Sequence, residues 1–224
     1  NMTVEELKDK LNSKKSTDRL RAAKQICKEK TFELAEDLYE AYLKEKQDKR
    51  TWETQSQMIK TLGVLDFKKA LQLVEEIVNE NIPHDMITIC AATTFVQLKR
   101  KSIQDAQPIL ELLKFGSTSV IHGALYVLAI DKMIPTSNEI EEIIKICWDI
   151  NKHKDRIGHE YGLEDSRRYL AVACAGWEKE LTTNFLNHCI ETAHDINSFG
   201  KAVQNANLID DCKMSLKGKY PKVY

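Results

Sequence analysis

Small residues sit at the centres of four helix-like segments at nearly even spacing: Ala23, Ser56, Ala92 and Ala124 follow one another at intervals of 33, 36 and 32 residues. Each segment has apolar positions at helical spacing, and each is followed by a second such segment. One pair of helices that short cannot bury its own apolar face. It has to stack on further pairs, so the period restricts the chain to a solenoid-like array of helical hairpins. With only 8 Gly and 4 Pro in 224 residues, the chain lacks the turn chemistry that the many hairpins of a sandwich or barrel need. Hydrophobic residues at 42% and charged residues at 30% exclude the disordered and low-complexity classes and describe a soluble globular chain.

Along the chain, Thr3-x-x-Glu6 is a capping box that opens a short N-terminal helix over 3–13, with Leu7 and Leu11 four residues apart. A second helix starts at Asp18 and gives way at Lys30-Thr31. Thr31 is placed to cap a third, whose apolar stripe is Phe32, Ala35, Leu38, Tyr39, Tyr42 and Leu43. Trp52 leads the next helix to Leu62-Gly63, where the glycine suits a C-terminal cap, and Phe67, Ala70, Leu71, Val74, Ile77 and Val78 line its partner. Residues 86–98 pair with 105–113, where Pro108 falls in a first turn and its missing N–H costs nothing. Residues 120–130 pair with a helix lined by Ile140, Ile143, Ile144, Cys147 and Trp148, then 165–176 with 181–193, and a last segment over 198–212 closes the chain. The expectation is one all-α domain over 1–224 with about five helical pairs.

The helix openings carry a loose motif, a polar cap followed by a small apolar centre: Asp18-x-x-Arg21-Ala22-Ala23, His84-Asp85 before Cys90-Ala91-Ala92, and Asp165-x-x-Arg168-x-x-Ala171-Val172-Ala173. Over residues 16–195 this resembles the HEAT repeat family of the armadillo-like helical superfamily. The resemblance implies a right-handed α-α superhelix, a HEAT-like solenoid. The second copy departs from the pattern with Ser56-Gln57 where an Ala pair is usual, and the fourth has Gly123-Ala124 with no Asp-Arg.

Between Ala124 and the next equivalent centre near Val172 lie 48 residues, so an insertion of roughly 12 to 15 breaks the period, at 151–164. Per-repeat insertions map to loops, often at a binding face. Partner-binding residues are therefore expected at Arg156, His159 and Tyr161 within it and at Arg167 and Arg168 just after it. Trp52 joins them as an aromatic anchor flanked by charges, the composition of an interface hot spot. His159-Glu160-Tyr161 near Arg156 also has the makings of an acid/base cluster, but a polar loop between repeats needs no chemistry and is the plainer reading. Trp148 and Trp177 read as packing, Tyr39 and Tyr42 as core, and Glu139, Glu141, Glu142 and Lys145 as a solvated helix face.

Motifs for chemistry are missing. The sequence has no GxxxxGK[ST], GxGxxG, HExxH, CxxC or GxSxG. His188 and His194 stand six apart, about 600° around a helix, so they project on opposed sides and no metal or other cofactor is expected. Six cysteines (27, 90, 147, 174, 189, 212) are dispersed on apolar faces, the pattern of free thiols in a reducing compartment. The longest stretch without a charge, 115–130, is too short to span a bilayer, and the N-terminus has no export signal. A cytoplasmic monomer is expected.

Net charge is −1 with a pI near 6.7, which disfavours a nucleic-acid module. The reading that follows is a non-catalytic scaffold that holds a protein or peptide partner on the concave face built by the second helices, as a toxin-neutralising immunity protein or an assembly adaptor would. The alternative is an enzyme, a HEAT-like DNA glycosylase or another nucleic-acid-acting enzyme. It requires a basic cleft, for which only Lys99-Arg100-Lys101 and Arg167-Arg168 are available. A phosphopeptide-binding repeat protein would draw on the same residues.

Overall fold

Among the described residues helices make up nearly all the regular structure, as the apolar periodicity predicts. The computed structural model describes residues 1–150, 165–196, 199 and 201–223, and these divide into two compact units, 1–99 and 100–224. The first unit holds α1 (Val4–Leu11), α2 (Ser16–Glu29), α3 (Ala35–Glu45), α4 (Trp52–Val64), α5 (Leu71–Glu80) and α6 (Met86–Lys99). The second holds α7 (Gln107–Phe115), α8 (Thr118–Ile130), α9 (Ser137–Cys147), α10 (Arg168–Ala173), α11 (Lys179–Thr192), a hairpin of β1 (His194–Ile196) and β2 (Ala202–Gln204), and α12 (Ala206–Leu216). The antiparallel hairpin pairs Asp195 with Val203. Its second strand falls within the last segment expected over 198–212, whose helix begins at Ala206.

In the first unit α2, α4 and α6 lie side by side, with α3 against α4, α5 against α6, and α1 against α2 and α3. In the second, α8, α10 and α12 form one such row, and α7, α9 and α11 another. Small residues mark the close approaches, as expected: Ala22, Ala23, Ala91, Ala92 and Ala124 are fully buried. A hydroxyl then ties three of these neighbouring pairs, α2 to α4, α4 to α6 and α10 to α12. Thr61 Oγ1 donates to Ala23 O at 3.2 Å while sharing its proton with Gln57 O, Thr94 Oγ1 donates to Ile59 O at 2.9 Å, and Ser215 Oγ donates to Ala171 O at 2.7 Å. Each uses the second lone pair of a helical carbonyl, so a buried hydroxyl finds its acceptor on the backbone of the neighbouring helix.

Gly63 does not cap α4. The helix runs on to Val64, and a Cβ at Gly63 would stand 2.7 Å from Thr94 Oγ1 and 3.2 Å from Thr94 Cα, so the glycine lets α4 and α6 touch. The turn beyond it uses Asp66 at φ 52. The same closure recurs after α2 at Lys30 (φ 52) and after α8 at Lys132 (φ 47). In each, the next residue's N–H reaches back five residues: Thr31 to Ile26 O, Phe67 to Leu62 O and Met133 to Leu128 O, at 3.0–3.1 Å. These are Schellman ends built on non-glycine residues; only the one after α12 has its glycine, Gly218 at φ 70.

Two other local expectations change. Thr31 makes no side-chain cap, because a 3₁₀ turn, Phe32–Leu34, precedes α3; Phe32 therefore leaves the apolar stripe and is 58% exposed. Glu139 is buried rather than solvated. It completes a capping box with Thr136 at the start of α9, and its other oxygen accepts from the Ala106 N–H at 3.1 Å and Gln107 Nε2 at 3.0 Å. One carboxylate thus serves the N-termini of α9 and α7, where helix dipoles favour negative charge.

Candidate functional site

The second unit contains a polar cluster whose members come from three separate parts of the sequence. Asp165 and Arg167, two residues apart ahead of α10, form a bidentate pair: Nε donates to Oδ1 at 3.0 Å and Nη2 to Oδ2 at 2.7 Å. The side chains are 3% and 0% exposed for Arg167 and Asp165. The guanidinium also donates to Trp148 O at 3.0 Å, Thr192 Oγ1 at 2.9 Å and Thr192 O at 3.2 Å. Burial works to lower the Arg167 pKa, but the bonds to Asp165 and the neighbouring negative charge outweigh it, and the value lies above the usual one. The cation is therefore permanent and clamps the end of α9 to the end of α11.

Trp148, held by its carbonyl, stacks on His188 of α11 with ring centroids 4.3 Å apart and planes 15° from parallel, and it also meets Phe185 at 5.9 Å. His188 Nε2 is 2.9 Å from Asp149 Oδ1, so the carboxylate fixes one ring nitrogen and the indole fixes the ring plane. Beside this cluster an open cleft of about 550 Å³ has Ile144, Trp148 and Leu181 as apolar lining and Glu141, Lys145 and Asp149 as charged lining. The three charges fall four residues apart along α9 and its following turn, which puts them on one side. Among the described residues this lining offers no hydroxyl or thiol for nucleophilic chemistry. Its chemistry suits holding an apolar side chain next to charged ones.

Of the residues expected to bind a partner, Arg167 stands behind this cleft with its donors committed inside the chain. Arg168, at the start of α10, is partly exposed and donates from Nε to Asp211 Oδ2 at 3.0 Å. Trp52 belongs to the other unit, as the first residue of α4, and is 51% exposed. Arg156, His159 and Tyr161 lie outside the described residues. Trp177 packs as expected, buried with Nε1 donating to Met133 O at 2.8 Å. Asp149 and the Trp148–His188 stack have no local signal in the sequence, since 40 residues separate the two rings and no spacing rule links them.

The basic residues offered for nucleic-acid binding are largely neutralised where they stand: Arg100 pairs with Asp131 at 2.8 Å, Arg167 with Asp165 and Arg168 with Asp211. Among the described residues, no group of three or more His, Cys, Asp or Glu is arranged to hold a metal ion, and no helix is long and apolar enough to cross a membrane. No family model matches the chain, and no curated protein or solved structure matches it.

Proposed function

We propose that the chain is a non-catalytic protein-binding scaffold, a HEAT-like right-handed solenoid that receives a partner segment on its second helices. The observation that carries this reading is the cleft on α9 and α11, with its apolar floor of Ile144, Trp148 and Leu181 beside Glu141, Lys145 and Asp149. An apolar centre with a polar rim is the anatomy of a recognition surface. The Schellman ends at Lys30 and Asp66, 36 residues apart, and the hydroxyl rungs at Thr61 and Thr94, 33 apart, support the repeat architecture, because each pair is spaced by about one helical period. Trp52, half exposed in the first unit, is a second anchor of hot-spot type. A toxin-neutralising immunity protein or an assembly adaptor fits such a surface. The pairing of Arg100, Arg167 and Arg168 with carboxylates weighs against the nucleic-acid-acting alternative, since paired cations release fewer counterions on phosphate binding.

The test is capture of a single stoichiometric protein from native lysate by the immobilised chain, repeated with Lys145→Glu, Leu181→Asp, Trp52→Ala and Arg168→Ala variants whose circular dichroism matches the parent. Loss of the partner with Lys145→Glu or Leu181→Asp supports the cleft. Loss with Trp52→Ala or Arg168→Ala alone moves the partner to another surface. Binding unchanged by all four, or salt-sensitive binding to duplex DNA instead, overturns the proposal.

A further inference from the structure

The near-zero net charge conceals a separation of charge between the helices of the first unit. On α3 stand Glu36, Asp37, Glu40 and Glu45 against Lys44, and on α5 stand Glu75, Glu76 and Glu80 against no cation. In the row of first helices the sign is reversed. Arg19, Arg21, Lys24 and Lys28 outnumber Asp18 and Glu29 on α2, Glu53 and Lys60 balance on α4, and α6 carries only Lys99. Glu45 is buried against Arg19, but Glu36, Glu40, Glu76 and Glu80 are exposed. Glu40 and Glu80 stand outside the ion pairs of the described residues.

Apolar groups alternate with these carboxylates. Glu36, Tyr39, Glu40 and Leu43 fall at i, i+3, i+4 and i+7 and so share one face of α3, where Tyr39 and Leu43 are only half-buried. Phe67, ahead of α5, meets Tyr39 with ring centroids 5.5 Å apart. The face already holds one cation, the chain's own. Lys69 Nζ donates to Glu36 Oε1 at 2.7 Å and lies 5.7 Å from the Tyr39 ring centroid. The hydrogen bond to Glu36 and that residue's charge, with Glu40 adding to them, raise the Lys69 pKa. A carboxylate beside an aromatic ring is the seat that an ammonium or guanidinium group takes. The spacing recurs in the second unit, where Glu141, Ile144, Lys145 and Trp148 line the cleft on α9 at the same intervals.

We infer, resting on the scaffold reading above, that the α3 face is a second contact surface for the partner protein and takes a basic amphipathic segment of it. Lysine or arginine side chains of that segment face Glu36 and Glu40, and its apolar side chains rest on Tyr39, Leu43 and Phe67. Charge complementarity selects this occupant. An acidic segment would meet carboxylates on both α3 and α5, with Lys44 and Lys69 as the nearest compensation in sequence. A nucleic-acid backbone would meet the same repulsion.

The probes are three fluorescein-labelled synthetic peptides: an amphipathic helix of Leu and Lys, the same sequence with Glu for every Lys, and an oligolysine of equal length. Fluorescence anisotropy with the whole chain is expected to show the Leu/Lys peptide bound, oligolysine bound more weakly and the Leu/Glu peptide unbound. Raising the salt from about 50 to about 500 mM lowers the Leu/Lys affinity roughly tenfold, because exposed charges are then screened. At the lower salt Glu40→Lys weakens binding by about tenfold, whereas Lys69→Gln, which vacates Glu36 and Tyr39, strengthens it. Both side chains are exposed, and matching circular dichroism shows that the fold is kept. Equal binding of the Leu/Glu peptide, or Leu/Lys binding unmoved by Glu40→Lys and Lys69→Gln, overturns the inference. In the lysate capture, a partner lost with Leu181→Asp yet unaffected by Glu40→Lys also overturns it and leaves the scaffold reading standing. Peptide binding as expected with no protein captured counts against the scaffold reading alone.

Discussion

The two units use the same helices-in-rows construction but treat charge differently. In the first unit the described ion pairs lie mostly on the outside, as in Lys8–Asp37, Lys24–Glu53 and Lys69–Glu36; only Arg19–Glu45 turns inward, with Glu45 3% exposed. In the second unit Arg167–Asp165 is inside, and Arg168–Asp211 and Arg100–Asp131 are each less than a quarter exposed. The difference follows what meets at the packed surfaces. In the first unit small residues such as Ala22, Ala23, Ala91 and Ala92 close the gaps between helices. In the second, helix ends present carbonyls such as those of Trp148 and Thr192 to a buried side chain, and an arginine with several fixed donors is what satisfies them.

The largest test of that contrast is Arg167→Ala against Arg19→Ala. Removing Arg167 leaves Asp165 charged and buried beside two unsatisfied carbonyls, at a cost of about 3–5 kcal/mol. Removing Arg19 leaves Glu45 near a water-accessible edge and costs about 2 kcal/mol. Urea unfolding followed by tryptophan fluorescence measures both, and equal losses would break the comparison. Next come the glycines. Gly63→Ala drives a Cβ into Thr94 and costs about 1–3 kcal/mol. At exposed Gly176 the Cβ would meet only the Tyr220 hydroxyl and the Ile134 side chain, so Gly176→Ala displaces the C-terminal tail, costs under about 1 kcal/mol, and shows as faster carboxypeptidase digestion.

The left-handed residues give a smaller effect of opposite sign. Lys30→Gly relieves a strained φ and stabilises by about 1 kcal/mol. Lys132→Gly yields less, because Lys132 Nζ lies 4.7 Å from the Tyr220 ring centroid and that contact is worth about 0.5–1 kcal/mol; paired thermal melts rank the two. The smallest effect is in acid. Bonds from the Arg50 side chain, then from its backbone N–H, pull the Asp48 carboxyl down from 3.8 to about 2. A depressed carboxyl stabilises the fold above its unfolded value and loses that contribution as pH falls toward 2. Asp48→Asn should therefore flatten the thermal midpoint over that range, and an unchanged slope would remove Asp48 from the account.

Much of the first unit was legible because its determinants are local. The Thr3 capping box forms as read, and Ala35, Leu38 and Tyr42 of the expected stripe are buried while Tyr39 and Leu43 are only half-buried; burial pushes the Tyr42 hydroxyl up to about 12. Gly63 and Phe32 were misplaced because a glycine at a helix end and a phenylalanine before a stripe have common local roles that the packing of α6 and a 3₁₀ turn overrode. In the second unit the misses are of another kind. The Glu139 double cap and the Trp148–His188–Asp149 cluster each join positions about 33 to 40 residues apart, and no periodicity encodes such pairs.

The residue order alone determined that this chain is helical, where most helices begin, and which faces they bury, because helix propensity, capping and 3.6-residue periodicity act within a few turns. Only the tertiary structure decided which carbonyls needed an arginine, which carboxylate serves two helices and where a cleft opens. Those are properties of where neighbouring helices end. They depend on distances across the fold that no local interaction sets.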